Sequence, residues 1–333
     1  MKKLLALVLA LCMIFALTAT ASAADDKIKI GMVTDVGGVN DQSFNQTSWE
    51  GLQALVKEDP RFEVNYLESK TDADYQTNLN TFIDEGYDLI ISVGFALADA
   101  TKEAAEENPD QMFAIIDDDS IDLPNVACLM FAQEQASYLV GLVAGSVTES
   151  KTVGYVQGMV FPSMNKFGVG FISGVLAACP DAKVLQYNAN SFTDSASGST
   201  AAKDMITKGA DVIYHAAGGV GSGVISTCNE EGIWAIGVDT DQAFLAPDHV
   251  ITSAMKRVDV ACQDISKAVR DGSFTAGVHL YDLSNGGVDL APTRTHIPAD
   301  VLELVEKAKA DIIDGKVTVP TLAEEVPEFT LAS

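Results

Sequence analysis

Residues 86–94 read Gly-Tyr-Asp-Leu-Ile-Ile-Ser-Val-Gly, and residues 209–218 read Gly-Ala-Asp-Val-Ile-Tyr-His-Ala-Ala-Gly. Each stretch is a short apolar run between two helical patterns, which is typical of a buried strand in a parallel sheet. The predicted strands and helices on either side of the two stretches also stand in register. The sequence therefore predicts a duplicated β-α-β-α-β unit, an α/β fold of two Rossmann-like lobes with parallel sheets and right-handed crossovers.

Two such lobes leave a cleft whose walls are the loops at the carboxyl ends of the strands. We expect residues 24–130 with 253–280 to form the first lobe, and residues 131–252 with 281–320 to form the second. Residues 321–333 are predicted to be an acidic tail on the surface. This organisation predicts a ligand in the cleft between the lobes.

The first residues indicate export. Lys2 and Lys3 precede an apolar run at residues 4–17 and an Ala-Ser-Ala sequence at residues 21–23, which is the pattern of a secretory signal peptide spanning residues 1–23. The run is shorter than the roughly 20 residues that a membrane-spanning helix needs. Cys12 lies inside the run and not at the cleavage point, so we expect an exported protein without a lipid anchor, in the periplasm or at the extracellular face of the plasma membrane.

The composition excludes some classes of partner. The chain has 47 acidic and 21 basic residues and a net charge of −26, whereas nucleic acids and anionic lipids are bound by basic patches. The cysteines outside the signal peptide are widely spaced and the four histidines are scattered, so no metal or cofactor is predicted. Whether any cysteines pair stays open at this stage.

The loop after the first predicted strand carries four polar or aromatic candidates for ligand binding: Asp35, Asn40, Asp41 and Phe44. Carboxylates and amides hydrogen-bond hydroxyl groups, and a phenyl ring offers a flat stacking face. The alternative is a turn followed by a helix cap, because residues 43–46 read Ser-x-x-Gln and match a capping box.

Further acidic residues follow the equivalent strands, namely the run Asp117–Asp119, Asp239 and Asp241. Ionised carboxylates accept several hydrogen bonds and suit vicinal hydroxyls such as those of a ribose. Lys256, at the end of a later predicted strand, would donate to ring oxygens. For the aspartates, helix caps and turns are the alternative, and for the lysine it is solvation.

Aromatic residues near the predicted strand ends could stack on a planar ligand: Phe44, Phe95, Phe192 and Tyr214. For Phe192 and Tyr214, a place in the hydrophobic core is an equally good interpretation.

Enzymatic motifs are absent from the sequence. Glycines at residues 218–223 open a predicted helix as a phosphate loop would, but they match neither the dinucleotide nor the Walker spacing. The enzymatic alternative is a nucleoside hydrolase, whose first strand ends in an aspartate-rich loop that holds calcium. Asn40 occupies a place that a calcium site would give to an aspartate, and His215 is more plausible as a structural residue. We therefore expect no enzymatic activity.

The chain resembles the basic membrane protein family, the purine-nucleoside-receptor type of substrate-binding protein for ABC transporters. Five separated stretches in the same order carry this resemblance: residues 33–51, 115–118, 214–221, 237–242 and 253–256. It covers essentially all of the mature chain. The resemblance implies a periplasmic-binding-protein type I fold, with three crossover strands between the lobes.

From the first lobe, the resemblance implies that Asp35 and either Asn40 or Asp41 line the mouth of the site. Phe44 would stack on the base, and Asp118 would bind polar atoms of the base or the sugar.

From the second lobe, Gly219, Asp239 and Lys256 would hold the ribose. Tyr214 would offer the second stacking face, at a position where the family often has phenylalanine.

The implied function is solute binding by hinge closure. A nucleoside, predicted to be a purine nucleoside, would bridge the lobes, and the permease subunits of the transporter would recognise the closed form. We expect a monomer that associates with the membrane only through the permease. The alternative is a binder of another hydroxylated solute, such as a sugar that stacks on Phe44 and Tyr214.

Overall fold

The computed structural model describes residues 27–331 and shows two lobes, each built on a six-stranded sheet. The predicted α/β class with two parallel-sheet lobes is confirmed. The predicted signal peptide, at residues 1–23, lies outside the described residues.

The chain first forms most of the first lobe, in the alternating order that the sequence pattern predicts. Its elements are β1 (Ile28–Thr34), α1 (Phe44–Glu58), β2 (Phe62–Leu67), α2 (Asp74–Asp84), β3 (Leu89–Val93), a short 3-10 helix (Phe95–Leu97), α3 (Ala98–Glu107), β4 (Met112–Ile116) and β5 (Val126–Phe131).

The chain then crosses to the second lobe and repeats the alternation. The elements there are α4 (Gln133–Val147), β6 (Thr152–Gln157), α5 (Pro162–Ala178), β7 (Lys183–Asn188), α6 (Ser195–Thr207), β8 (Val212–Ala216), α7 (Gly219–Glu231), β9 (Trp234–Asp239), a 3-10 helix (Gln242–Leu245) and β10 (Val250–Lys256).

Two further crossings complete both lobes. The remaining elements are α8 (Val258–Arg270), β11 (Gly277–Tyr281), β12 (Val288–Leu290), α9 (Ala299–Ile313) and a 3-10 helix (Ala323–Glu325). The first sheet has the order β11-β5-β4-β3-β1-β2, with every pair parallel. The second has the order β12-β10-β9-β8-β6-β7, in which β12 is antiparallel to β10 and the other pairs are parallel.

The duplication extends to the packing of helices on the sheets. Gly31 of β1 lies under the ring of Phe82, and a Cβ atom on this glycine would be 2.6 Å from the ring. Gly154 of β6 lies under Met205, and a Cβ atom there would be 2.6 Å from the sulfur. The two glycines are as far apart in sequence as Gly86 and Gly209, so both copies use the missing side chain to bring a helix close to the sheet.

The structure corrects one expected boundary. The strand Val250–Lys256 pairs with β9 and β12 and lies wholly in the second sheet, so residues 253–256 belong to the second lobe. Only the returning segment α8–β11 belongs to the first lobe, where β11 pairs with β5 and Lys267 of α8 donates to Glu58 of α1 at 3.0 Å. The sequence shows that residues 250–256 form a strand, but sheet membership depends on contacts between residues far apart in the chain.

The described part of the tail follows the surface of the second lobe. The side chain of Gln186 on β7 donates to the main-chain oxygen of Glu328 at 2.5 Å and accepts from the main-chain N–H of Thr330 at 2.9 Å. The Phe329 ring packs close to Gly168 of α5. Among residues 27–331, no helix combines the length and the apolar character needed to cross a membrane.

The cysteines that the structure describes are free thiols: Cys128, Cys179, Cys228 and Cys262.

Candidate ligand-binding site

A cavity of about 340 Å³ lies between the lobes, at the carboxyl ends of both sheets. This volume falls in the range of roughly 300–1,000 Å³ typical of small-molecule sites. The first lobe lines it with Asp35, Val36, Gly37, Asp41, Phe44, Asn45, Asp72, Tyr75, Gly94, Phe95, Ala96 and Asp117. The second lobe lines it with Met159, Met164, Phe167, Asn190, Ser191, Phe192, Thr193, Ala216, Ala217, Gly218, Val238, Asp239 and Lys256.

Asp35 lies at the end of β1, where the strand passes into the first loop. Its Oδ1 accepts hydrogen bonds from the main-chain N–H of Gly37 and from the amide of Asn45, both at 2.8 Å. Burial raises the pKa of Asp35 to about 6, although these two hydrogen bonds lower it. The Oδ1 atom of Asn45 is buried and has no protein partner among the described residues.

Asp41 both lines the cavity and caps helix α1. Its carboxylate accepts from the main-chain N–H groups of Ser43 (3.0 Å), Asn45 (2.9 Å) and Gln46 (3.1 Å), which satisfies donors that a helix start leaves unpaired. The hydroxyl of Ser43 makes no capping contact. The cap that the sequence offered as an alternative therefore exists, but Asp41 provides it.

Asp117 forms a buried ion pair across the cleft. The ammonium of Lys256, on β10 of the second lobe, donates to Asp117 Oδ2 at 2.5 Å, and the two side chains are 2% and 6% exposed. Asp117 Oδ1 is buried without a partner in the described chain. The pair thus compensates the charge of a carboxylate that lines the cavity.

Asp239 occupies the equivalent strand end in the second lobe. The hydroxyl of Ser43, from the first lobe, donates to Asp239 Oδ2. Burial raises the pKa of Asp239 to about 6, and the nearby ammonium of Lys256 opposes that rise.

The two strand-end aspartates share an unusual backbone. Asp117 has φ 70° and Asp239 has φ 65°, a left-handed conformation that costs energy for residues other than glycine and persists where the surroundings enforce it. Aspartate tolerates this region better than most residues. Such conformations cluster at ligand sites, and here both turn the chain at the edge of the cavity.

Aromatic rings surround the charged end of the cavity. The ammonium of Lys256 lies 5.0 Å from the ring centre of Phe44, 5.1 Å from that of Phe131 and 5.4 Å from that of Phe167. These distances permit cation–π attraction, which is strongest where water is excluded. The rings help to hold a buried ammonium at the end of a strand.

Two rings also stack across the cleft. Phe95 of the first lobe and Phe161 of the second have ring centres 4.0 Å apart and planes 9° from parallel. Together with Ser43–Asp239 and Lys256–Asp117, this contact shows that the lobes are closed on each other.

The structure places five of the predicted site residues around the cavity: Asp35, Asp41, Phe44, Asp239 and Lys256. Four others lie elsewhere: Asn40, Asp118, Tyr214 and Gly219.

Tyr214 is a core residue and not a stacking face. Its side chain is fully buried, its ring centre lies 4.9 Å from that of Phe171 and 5.6 Å from that of Tyr155, and its hydroxyl lies 3.1 Å from Ser137 Oγ. The reason is that β8 continues to Ala216, so position 214 is still inside the sheet.

The other three residues are displaced by the local turns. Asp118 accepts from the N–H (2.9 Å) and the hydroxyl (2.6 Å) of Ser120, while its neighbour Asp117 faces the cavity. Asn40 is exposed to solvent. Gly219 is the first residue of α7, and the cavity is lined by Gly218, one position earlier.

Some lining residues were not among the predicted site residues. Asp72 and Tyr75 follow β2, and applying the strand-end rule to that strand would have found them. Phe192 occupies the equivalent loop of the second lobe. From the sequence alone, its ring could either stack on a ligand or lie in the hydrophobic core. Met164 and Phe167 lie on α5. Their apolar side chains cannot be distinguished in the sequence from those of core residues.

The arrangement can hold a small polar ligand by hydrogen bonds and stacking. The histidine nearest to it, His215, is fully buried, does not line the cavity, and has its pKa lowered to about 4 by burial. Across residues 27–331, no group of three histidine, cysteine or acidic side chains could hold a metal ion.

A two-lobed α/β protein that encloses a polar cavity between the strand ends of both lobes has the architecture of a solute-binding protein. The chain belongs to the family of PnrA-like ABC transporter substrate-binding proteins, whose family model matches residues 28–322. The family predicted from the sequence motifs is therefore confirmed.

Individual relatives agree with this assignment. The chain is 39% identical to the ABC transporter nucleoside-binding protein BmpA of Lactococcus lactis, over 94% of this chain and 95% of that protein. It is 31% identical to basic membrane protein A1 of Borrelia garinii, over 99% of both chains. Among solved structures, a solute-binding protein of an ABC transporter system from Aeropyrum pernix superposes with a TM-score of 0.82, at 27% identity over 89% of this chain and 95% of that one.

Proposed function

We propose that this protein binds a nucleoside between its lobes and delivers it to the permease subunits of an ABC importer. The observation that carries the proposal is the combination, around one cavity, of a buried Lys256–Asp117–Asp239 cluster with aromatic rings from both lobes. A nucleoside has the matching parts, a sugar with vicinal hydroxyls and a flat base. The relative from Lactococcus lactis is an ABC transporter nucleoside-binding protein, which supports the same ligand class.

The charged cluster would take the ribose. Ribose hydroxyls would donate to the carboxylates of Asp239 and Asp117, and the ammonium of Lys256 would donate to a sugar oxygen. Hydrogen bonds to charged groups are stronger than neutral ones, which is why a carboxylate suits a diol.

The base would lie between aromatic residues of opposite lobes. Phe44 lines the cavity from the first lobe and Phe192 from the second, so we infer that Phe192 takes the stacking role that the family resemblance implied for Tyr214. Asp35 would accept from N–H groups on the base edge. An acceptor at this place suits a nucleobase that presents N–H donors.

The charge of the cavity favours nucleosides over nucleotides. The described residues that line it include one ammonium, on Lys256, and five carboxyl groups, on Asp35, Asp41, Asp72, Asp117 and Asp239. A phosphate would add negative charge where the net charge is already negative, and like charges at short range repel strongly in a site that excludes water.

The mechanism we propose is hinge closure without chemistry. A nucleoside that contacts both lobes stabilises the closed form, and the permease subunits recognise that form. The family assignment implies a position on the extracytoplasmic side of the membrane. We further propose an exported monomer, held at the membrane by the permease and not by a lipid.

The test is isothermal titration calorimetry of refolded, ligand-free protein with purine nucleosides, pyrimidine nucleosides, their 5′-monophosphates and simple sugars. We expect binding of purine nucleosides and at least a hundredfold weaker binding of the monophosphates. Silence towards every nucleoside at millimolar concentration would overturn the proposal, and binding of a sugar alone would replace it with the alternative ligand class. Release of free base over time would support the hydrolase instead.

A further inference from the structure

Two glutamines meet across the cleft outside the cavity lining. The amide of Gln242 Nε2, in the second lobe, donates to the main-chain oxygen of Gln42, in the first lobe, at 2.9 Å. The hydroxyl of Ser222 on α7 donates to the side-chain oxygen of Gln42 at 3.4 Å. Both glutamines belong to the motifs that carry the family resemblance, yet neither lines the ligand cavity.

Gln242 is fixed in place by its own lobe. It is fully buried, and its Oε1 accepts from the main-chain N–H of Val238 at 2.9 Å and lies 3.0 Å from Nε2 of His215. Its main-chain N–H donates to the hydroxyl of Ser253 at 3.1 Å. Because Oε1 accepts a main-chain N–H, the amide orientation is determined and the NH₂ group faces Gln42.

His215 supports the same orientation. Its ring lies so close to Gly221 that a Cβ atom there would be 2.0 Å from it, and burial lowers its pKa to about 4. A neutral ring whose Nε2–H points at Gln242 Oε1 completes the set of partners of that oxygen.

Gln42 is held as firmly on the first lobe. It has φ 56°, in the left-handed region, and follows Asp41, whose carboxylate accepts from the main-chain N–H groups of Ser43 and Asn45 at the start of α1. A left-handed residue beside this cap keeps its main-chain oxygen in a fixed place on the first lobe.

We propose that the Gln242–Gln42 contact is a closure latch, which stabilises the closed form without touching the ligand and so sets the affinity for every ligand by the same factor. This proposal rests on the closure mechanism proposed above but not on the identity of the ligand. The measured affinity of a closing protein is its intrinsic affinity multiplied by the population of the closed form. A contact made only in the closed form, away from the ligand, changes that population alone.

The first test is Gln242→Glu, which keeps the Oε1 acceptor for Val238 and removes the donor to Gln42. At pH 8 we expect at least roughly two- to tenfold weaker binding of inosine, adenosine and uridine, because a carboxylate in place of the amide loses the hydrogen bond and faces the Gln42 carbonyl oxygen. The ratios among the three dissociation constants should stay unchanged. Small-angle X-ray scattering of ligand-free protein should show a larger radius of gyration than the wild type.

The matched control is Gln157→Glu. Gln157 is an equally buried glutamine at the end of β6, but its amide donates to Met159 and Asn165, within the second lobe. This change should lower the thermal unfolding temperature without changing the ligand-free radius of gyration.

A second variant covers the case in which Gln242→Glu does not fold. Ser222→Leu places a larger side chain against Gln42 from a half-buried position on α7. This change should destabilise the closed form and weaken the binding of all three nucleosides by the same factor. Either variant overturns the latch if it leaves scattering and affinities unchanged, or if it weakens one nucleoside and spares another. If the wild type binds no nucleoside, the scattering comparison still decides the latch, while the titrations reject the nucleoside proposal.

Discussion

The two lobes present the same strand ends to one cavity, but with different chemistry. Asp117 and Asp239 share a left-handed backbone at equivalent positions, yet Asp117 is paired with an ammonium while Asp239 receives the hydroxyl of Ser43. Around them, the first lobe contributes four carboxyl groups, and the second contributes one together with Lys256 and most of the large apolar side chains. The duplicated backbone therefore fixes where side chains stand, and divergence of the loops makes the two walls complementary in charge.

The largest effect should come from removing the cation of the second wall. Lys256→Met leaves Asp117 buried without its partner, which we expect to cost about 3–5 kcal/mol of unfolding free energy and to weaken nucleoside binding more than roughly 100-fold. Urea unfolding and calorimetry measure the two effects. The matched control is Lys309→Met, which breaks a half-exposed pair with Asp289 and should cost about 0–1 kcal/mol. Equal losses in both variants would contradict the role of the buried pair.

The next largest effect should come from the rings on opposite walls. Phe44→Ala and Phe192→Ala each remove a stacking face, worth about 1–3 kcal/mol per base, or roughly five- to 100-fold in the dissociation constant. Tyr214→Phe is the control, because it removes only a hydroxyl near Ser137 in the core and should leave the affinity unchanged. If Tyr214→Phe weakened binding and Phe192→Ala did not, our assignment of the second ring would be wrong.

A smaller effect should come from the protonation of Asp239 as pH falls. Asp239 has its pKa raised by burial to about 6 from 3.8, so it loses its charge as pH falls through 6. Nucleoside affinity should then fall roughly tenfold between pH 7 and pH 5, and Asp239→Asn should bind more weakly at pH 7 with a flatter profile. Asp35, with its pKa also near 6, should account for the pH dependence that remains.

The raised pKa of Asp239 should change the stability of the protein with pH in the direction opposite to its effect on nucleoside affinity. Between pH 3.8 and about 6 the folded Asp239 holds a proton that the unfolded chain has released, so this residue contributes a decline in the stability of ligand-free protein as pH rises through this range. Thermal unfolding at several pH values measures the decline, which Asp239→Asn should reduce. If the stability of the wild type and that of Asp239→Asn changed with pH by the same amount over this range, the raised pKa of Asp239 would be excluded.

The smallest effect should come from Asp118, the neighbour of Asp117. Because its carboxylate accepts from Ser120 in a turn, Asp118→Asn should change the dissociation constant by less than about twofold. Asp117→Asn, measured beside it, should weaken binding strongly. Similar effects of the two changes would show that the run of aspartates acts as a unit.

The fold was predictable because its signals are local and repeated. Gly86 and Gly209 mark equivalent positions, and each copy alternates strands and helices with the periods that its elements require. The boundary near residue 253 was not predictable, because the pairing of β10 with β9 and β12 is a long-range property.

The site was predictable to the level of loops and less so to the level of residues. Asp117 and not Asp118 faces the cavity because of a left-handed backbone at residue 117, which no pattern of three successive aspartates reveals. Tyr214 lies in a strand buried on both faces, where alternation gives no information about which side meets the ligand.

The three chain crossings have a consequence for the order of synthesis. The first sheet is completed only by β11, whose five residues all pair with β5, and helix α1 gains its neighbour α8 from the same returning segment. The first lobe thus remains an incomplete sheet with an uncovered edge until residue 281 of 333 has left the ribosome. During the export proposed above, the first lobe therefore cannot complete its sheet until β11 has been synthesised.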